Sequence, residues 1–148
     1  MLQKKRGKRI INKNFNDEEL KKMRGKRFPD QTDWLSFFEK MPDAGFEKEM
    51  PVEYQDLTFR FENQEERFVV NMSLAMKEFS LNVVRKKTES VLGIYDFKTV
   101  QHVEIKKDRK EEKELLLILE HHDDFITTIE ITFLPSFCLM VKEHFSGE

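Results

Sequence analysis

Hydrophobic and polar residues alternate along most of the chain beyond residue 56, with the period of a β-strand that buries one face. Short polar or charged segments separate the alternating stretches, as expected for hairpin turns. Residues 115–119 form a continuous apolar run, which predicts a central strand covered on both faces. The alternating stretches are residues 57–61, 68–76, 79–83, 103–105, 129–133 and 137–141.

Before these strands, apolar residues recur at the spacing of a helix. Thr32 or Asp33 is suited to cap a helix that Pro42 would end. A shorter helix is predicted between Asn16, which opens a capping-box pattern, and Gly25, although two turns are too few to be stable alone. The apolar face of the longer helix consists of Trp34, Leu35, Phe37, Phe38 and Met41.

Together these elements predict an α+β fold. We expect one antiparallel, meander-like sheet of six or seven strands, with one or two N-terminal helices and the Trp34 helix packed on the sheet. Short connections favour hairpins over parallel crossovers. Residues 88–100 fit neither period, so helix, strand and loop stay open there, and Gly93 indicates a bend or a bulge.

Charge divides the chain of 148 residues into two parts that the formal net charge of −2 conceals. Residues 1–30 hold eleven basic and four acidic side chains, a net of +7. Residues 31–148 hold 15 basic and 24 acidic side chains, a net of −9. We therefore predict a basic, largely flexible arm over residues 1–30 and a single acidic α+β domain over residues 31–148.

The sequence offers few groups for catalysis. His121, His122, Asp123 and Asp124 are adjacent, and neighbours on one turn rarely converge on a metal ion, so we expect no metal. Cys138 lies in an apolar strand and is expected to be an inert thiol. With only five glycines, the chain lacks the loops of nucleotide-binding enzymes. The prediction is a protein with neither enzymatic activity nor a cofactor.

Two groups of charged residues are candidate binding surfaces. Acidic side chains in the predicted turns would attract a protein partner with a basic surface. Basic side chains of the arm would bind nucleic acid nonspecifically, or an acidic partner. The acidic residues are Glu65, Glu66, Glu111, Glu112, Asp123 and Asp124, and the basic residues are Lys4, Lys5, Arg6, Lys8, Arg9, Arg24, Lys26 and Arg27.

Residues 31–148 combine few glycines with a short amphipathic helix, which contains a tryptophan, and a series of strands after it. This pattern resembles the small, acidic immunity and inhibitor proteins of bacteria. The resemblance implies a non-enzymatic protein that binds another protein through its acidic face, and the alternative is nucleic-acid association through the arm. An exposed edge strand would also allow a homodimer. Lacking a long apolar segment, the chain is expected to be cytoplasmic and not membrane-bound.

Overall fold

The described part of the chain is mostly β-structure. A computed structural model describes residues 27–43, 47, 49–120 and 125–145. Within these ranges one short helix, α1 (Gln31–Phe38), precedes eight strands, and 3₁₀ turns form at Val52–Tyr54 and Leu74–Met76. The strands are β1 (Asp56–Glu62), β2 (Glu66–Ser73), β3 (Glu78–Arg85), β4 (Val91–Phe97), β5 (Val100–Arg109), β6 (Glu112–Leu119), β7 (Phe125–Leu134) and β8 (Cys138–Phe145).

The strands form two separate antiparallel sheets, β1-β2-β3-β4 and β5-β6-β7-β8. The prediction of a single sheet of six or seven strands in an α+β fold is therefore wrong. Lys98 and Thr99 alone connect β4 to β5, and Thr99 has a left-handed backbone with φ 60°. The chain changes sheets at this point, where the N–H of Val100 donates to the carbonyl oxygen of Lys77 at 2.9 Å.

The core explains why there are two sheets. Apolar side chains on the inner face of each sheet belong to one buried cluster, which also includes Trp34, Phe37 and Phe38 of α1. Aromatic rings meet across the two layers, as between Phe68 and Phe133, whose ring centroids are 4.9 Å apart. An apolar sheet face requires a second layer to cover it. Here each sheet covers the other, and the helix adds to the same core.

The helix α1 is shorter than the sequence predicts. Its N-cap is Asp30, not Thr32 or Asp33: the N–H of Asp33 donates to Asp30 Oδ1 at 2.9 Å, and the N–H of Asp30 donates to Asp33 Oδ2 at 3.0 Å. This reciprocal pair is a capping box. The helix ends before Glu39, which has a left-handed backbone. The predicted helix over residues 16–25 lies outside the described residues.

The segment that the sequence left open contains the edge strand β4. The register between β3 and β4 shifts at Val83, which pairs with Gly93, so the expected irregularity at Gly93 is a β-bulge. A side chain at position 93 would collide with the ring of Tyr95, which lies 2.5 Å from the place of a Cβ atom. Because Gly93 has no side chain, the ring of Tyr95 can lie over position 93 of the strand.

Candidate functional site

Four of the six predicted acidic residues lie at one end of the molecule, here called the hairpin end. Two of them lie in the β1–β2 and β5–β6 turns, and the other two are the first residues of β2 and β6. These turns are neighbours because Asn63 Nδ2 donates to the carbonyl oxygen of Phe133 at 2.8 Å, and β7 pairs with β6 at that end. The predictions for Asp123 and Asp124 lie outside the described residues. The four residues at the hairpin end are Glu65, Glu66, Glu111 and Glu112.

Two of these carboxylates have partners within the protein. Glu66 Oε1 accepts hydrogen bonds from Asn63 Nδ2 at 2.7 Å and from the N–H of Phe137 at 3.4 Å. Glu112 Oε1 lies 3.0 Å from Nη1 of Arg109. The other two carboxylates are exposed on the turns. Of the four, Glu66 is therefore bonded within the fold, Glu112 belongs to an ion pair at the surface, and Glu65 and Glu111 are exposed.

Ion pairs dominate the hairpin end. The hydrogen bond from Arg60 to Asp43, 2.8 Å long, holds the pKa of that carboxyl below its usual value. A similar contact from Lys86, at 2.6 Å, lowers the pKa of Glu62. Described acidic and basic residues are equal in number here, so this end is not an acidic face. They are Glu39, Asp43, Glu62, Glu65, Glu66, Glu89, Asp108, Glu111, Glu112 and Glu114, with Lys40, Arg60, Arg67, Arg85, Lys86, Lys87, Lys107, Arg109, Lys110 and Lys113.

The opposite end, here called the 3₁₀ end, carries exposed apolar side chains on a rigid base. Val52 and Leu74 are buried and anchor the two 3₁₀ turns in the core. The last residue of each turn is exposed, Tyr54 to 68% and Met76 to 70%. The two turns contact each other, because they flank the strand ends at which β1 pairs with β2. We call Tyr54, Met76 and the neighbouring exposed Met50 the turn patch.

A buried glutamine fixes the loop that carries Met50. Gln55 Oε1 accepts a hydrogen bond from the N–H of Glu47 at 2.6 Å, and Gln55 Nε2 donates to the carbonyl oxygens of Glu47 and Met50 at 2.8 and 2.6 Å. Both ends of the amide are therefore used. These bonds hold the described residues of the loop against the first 3₁₀ turn, so Met50 lies close to that turn.

Carboxylates outnumber lysines around the turn patch. Lys77 pairs with Glu120 at 3.3 Å, and Lys98 lies 3.4 Å from both Glu78 and Asp96. Hydrogen bonds to these two carboxylates raise the pKa of Lys98. Both lysines are thus already paired within the protein, and the described residues at this end leave an excess of negative charge. The carboxylates are Glu47, Glu49, Glu53, Asp56, Glu78, Asp96 and Glu120.

The turn patch was missed by the sequence reasoning. The alternation through residues 68–76 placed Met76 on a buried strand face, whereas β2 ends at Ser73 and Met76 follows in a turn. The signal that could have located it is the charged pair Lys77 and Glu78, which breaks the alternation directly after Met76. Tyr54 had no periodic signal at all, since it follows Pro51 in a short irregular stretch.

Of the basic residues predicted to bind nucleic acid, Arg27 alone lies within the described part of the chain. Lys4, Lys5, Arg6, Lys8, Arg9, Arg24 and Lys26 lie outside the described residues, as do His121 and His122. Arg27 is exposed, and its guanidinium lies 5.4 Å from the ring centroid of Phe28. Within the described ranges no group of three or more His, Cys, Asp or Glu side chains could hold a metal ion. The thiol of Cys138 is exposed.

The fold has a counterpart among solved structures. A chain of the "Contact-dependent growth inhibition toxin - immunity protein complex from Klebsiella pneumoniae 342" shares the fold, with a TM-score of 0.61 and 17% sequence identity. The match covers 79% of this chain and 96% of that chain. No protein-family model and no curated protein matches the sequence. None of the described helices is long and apolar enough to cross a membrane.

Proposed function

We propose that this protein is an immunity-type interaction module that binds a protein toxin through the turn patch and its acidic surroundings. The observation that carries the proposal is the exposure of Tyr54 and Met76 on two turns anchored in the core. The proposed action is stoichiometric binding: the module covers part of the toxin's surface and needs no chemistry of its own.

The turn patch has the composition of a binding hot spot. Tyrosine and methionine are enriched in protein interfaces, and a few anchor residues usually provide most of the binding free energy. Tyr54 presents a large ring with few rotatable bonds, and Met76 presents a flexible side chain that adapts to an irregular partner surface. Because the buried Val52 and Leu74 hold the backbone of both turns, binding would cost little conformational entropy there.

The charge around the turn patch favours a basic partner. The carboxylates near Tyr54 exceed the lysines at this end, and both described lysines are paired internally. A negative surface of this kind attracts a positively charged partner over a distance and raises the rate of association. The hairpin end, with balanced ion pairs, lacks this property. The charge distribution therefore favours the 3₁₀ end over the turns first predicted from the sequence.

The fold comparison supports the same class of function. A chain of a toxin–immunity protein complex has this fold over nearly its whole length, although the two sequences are only 17% identical. An interaction module of this fold that meets a toxin would be under pressure to vary its contact residues while keeping its core. The proposal therefore assigns the contact to exposed turn residues and not to the aromatic core.

The test is a binding titration with the protein encoded by the neighbouring gene. Replacing both anchors, Tyr54→Ala with Met76→Ala, should weaken binding by at least about 2 kcal/mol, roughly 30-fold in Kd, because each side chain is expected to fill a pocket on the partner. Isothermal titration calorimetry measures this change directly.

The matched control is Ile94→Ala, which removes a side chain of comparable exposure, 72%, from the outer face of the first sheet. Its affinity should equal that of the unchanged protein. If the double variant binds as tightly as this control, the turn patch is not the binding site.

A further inference from the structure

The edge strands of the two sheets differ in how well they are protected against pairing with another strand. An edge strand presents a row of unpaired N–H and C=O groups, and proteins commonly block it with a bulge, a charge or a covering loop. The edge strands are β1 and β4 in the first sheet and β5 and β8 in the second.

Three of these edges are interrupted or partly covered. The N–H of Asp43 donates to the carbonyl oxygen of Thr58 at 2.7 Å, so the loop after α1 occupies part of the edge of β1. On β5, the N–H of Val103 donates to the carbonyl oxygen of Arg27 at 2.9 Å, and the register shifts twice. The edge strand β4 has the bulge at Gly93. A further strand therefore could not pair along the whole length of β1, β4 or β5.

The strand β8 is a regular edge. Its eight residues pair with β7 in one unbroken register. Among the described residues, no backbone hydrogen bond joins β8 to any element other than β7. A lysine on an edge strand commonly repels further strands, but Lys142 Nζ lies 3.3 Å from Glu130 Oε2 on β7 and is paired within the sheet. A further strand could pair with β8 along its full length.

Apolar side chains are exposed along this edge. Met140, Val141 and Phe145 are 44%, 59% and 47% exposed. Val141 and Phe145 alternate with the outward residues, as does Leu139, which packs against the core. The ring of Phe125 on β7, 5.3 Å from that of Phe145, is exposed as well. A strand added to β8 would remove these side chains from water, which is favourable.

The sequence of β8 is complementary to a second copy of itself. Two antiparallel copies related by a twofold axis pair around one residue that faces its own copy. Centring the pair on Val141 sets this β-branched residue opposite itself, and sets Phe145 opposite Phe137 of the second copy at both ends. Cross-strand pairs of β-branched and of aromatic residues stabilise a sheet.

Charge and length disfavour the neighbouring registers. Centring on Lys142 or on Glu143 would set two like charges directly opposite each other, which is destabilising. Centring on Met140 would set Phe145 opposite Pro135, which lies before β8. The register centred on Val141 opposes no like charges and pairs every residue from 138 to 144.

We propose that the protein forms a homodimer in which β8 pairs antiparallel with β8 of a second copy, in the register centred on Val141. The two four-stranded second sheets join into one continuous sheet across the dimer. The turn patch lies on connections of the first sheet and takes no part in this contact. The dimer and the binding of a toxin are therefore tested separately.

Sedimentation equilibrium tests the association. Over a series of concentrations up to about 100 µM, a dimer with a micromolar dissociation constant becomes almost fully formed. The unchanged chain should reach twice the monomer mass of 17.8 kDa. Val141→Lys sets two lysines face to face and should raise the dissociation constant at least about tenfold. The matched control Ile94→Lys places the same charge at an exposed position on β4 and should leave the constant unchanged.

Disulfide formation tests the register. Val141→Cys, combined with Cys138→Ser, sets two thiols opposite each other, so mild oxidation should give a covalent dimer. In the unchanged chain the two Cys138 residues would lie about 20 Å apart along the paired strands and should not cross-link. Far-UV circular dichroism checks that each variant is folded, and the oxidation experiment decides the outcome if Val141→Lys is not.

An unchanged chain that stays monomeric over the whole series overturns the proposal and leaves the edge to a strand of another protein. A dimer that Val141→Lys weakens no more than Ile94→Lys does also overturns it. Equally fast cross-linking of the unchanged chain and of the Val141→Cys variant contradicts the register. A dimer weakened by Val141→Lys alone, together with cross-linking at position 141 alone, supports the proposal.

Discussion

At the scale of single residues, the charged run over residues 107–113 shows how a local pattern can mislead. The run predicts a solvated turn, yet Lys113 is only 2% exposed. Its ammonium group lies 2.6 Å from Asp108 Oδ1 and 3.0 Å from Glu39 Oε2, above the ring of Phe37. Ser36 Oγ donates to the other oxygen of Asp108 at 2.6 Å. These contacts tie the end of α1 to the β5–β6 hairpin.

Removing this lysine should destabilise the protein. Lys113→Ala leaves the carboxylate of Asp108 without its main partner and opens a gap beside Phe37, so the free energy of unfolding should fall by about 3 kcal/mol, the low end for a broken buried ion pair. Asp108 keeps some contact with water, which limits the loss.

Urea denaturation measures this change, with Lys107→Ala as the control. Lys107 is exposed and lies 4.0 Å from Glu112, so its loss should cost under about 1 kcal/mol. Equal losses for the two variants would show that the buried ion pair contributes nothing to stability.

His144 should make the stability of the folded protein depend on pH near neutrality. Burial lowers the pKa of this imidazole below 6.5, and the nearby charge of Lys142 adds to the effect, whereas Glu130 opposes it. The unfolded chain therefore takes up a proton at a higher pH than the folded chain. Stability is complete above the unfolded pKa and falls as the pH decreases from about 6.5 towards the folded pKa.

The measurement compares unfolding free energies at pH values of about 7.5 and about 5.5, on either side of the usual pKa of histidine. The unchanged protein should lose stability between these values, and His144→Gln should lose less, because the glutamine takes up no proton. An identical loss in both proteins would mean that other groups cause the pH dependence.

At the scale of the elements, alternation identified most strands but not their arrangement. The inward positions of β1, such as Leu57 and Phe59, are buried as the period-two pattern indicates. The run 115–119 is part of a central strand, β6, buried for most of its length. Alternation shows which side chains share a face, but not which strands pair. The change of sheet falls at Thr99, whose left-handed backbone has no glycine or asparagine to indicate it.

The β1–β2 turn also contacts the second sheet, and nothing in the sequence indicates this contact. Asn63 Oδ1 accepts from the N–H groups of Glu65 and Glu66 at 2.9 and 2.6 Å, while its Nδ2 donates to the carbonyl oxygen of Phe133. The turn is thereby attached to the second sheet. Because Asn63 and Phe133 are 70 positions apart, no local pattern could reveal this contact.

Asn63→Ala should weaken the contact between the sheets. It leaves the buried carbonyl of Phe133 and the amides of the turn without partners, which should cost about 2–3 kcal/mol of unfolding free energy. Asn63→Asp keeps the acceptor for the turn amides, but its second oxygen would face the carbonyl oxygen of Phe133 and Glu66 Oε1, so it should not recover the lost stability.

Thermal unfolding followed by circular dichroism gives the comparison, with Gln64→Ala as the control in the same turn. Gln64 is exposed, so its replacement should leave the melting temperature nearly unchanged. If Asn63→Ala melts at the same temperature as this control, the turn does not hold the sheets together.

At the scale of the whole molecule, the charge distribution is more specific than the division into arm and body. Counted over the described residues, the balanced hairpin end and the acidic 3₁₀ end lie at opposite ends of the same sheets. The sequence could predict an acidic body, because counting charges needs no structure. It could not predict which end is acidic, since that depends on which turns lie together after folding. In the proposed function, the exposed Tyr54 and Met76 at the acidic end form the surface that meets a basic partner.

Protection of growing cells tests the proposed function most directly. The protein encoded by the neighbouring gene is expressed in a sensitive host, with this chain supplied from a second plasmid. We expect growth to be restored by the unchanged chain and by Ile94→Ala, and lost with Tyr54→Ala and Met76→Ala combined. A toxic neighbour that this chain fails to neutralise, although both proteins are produced and folded, would contradict the account.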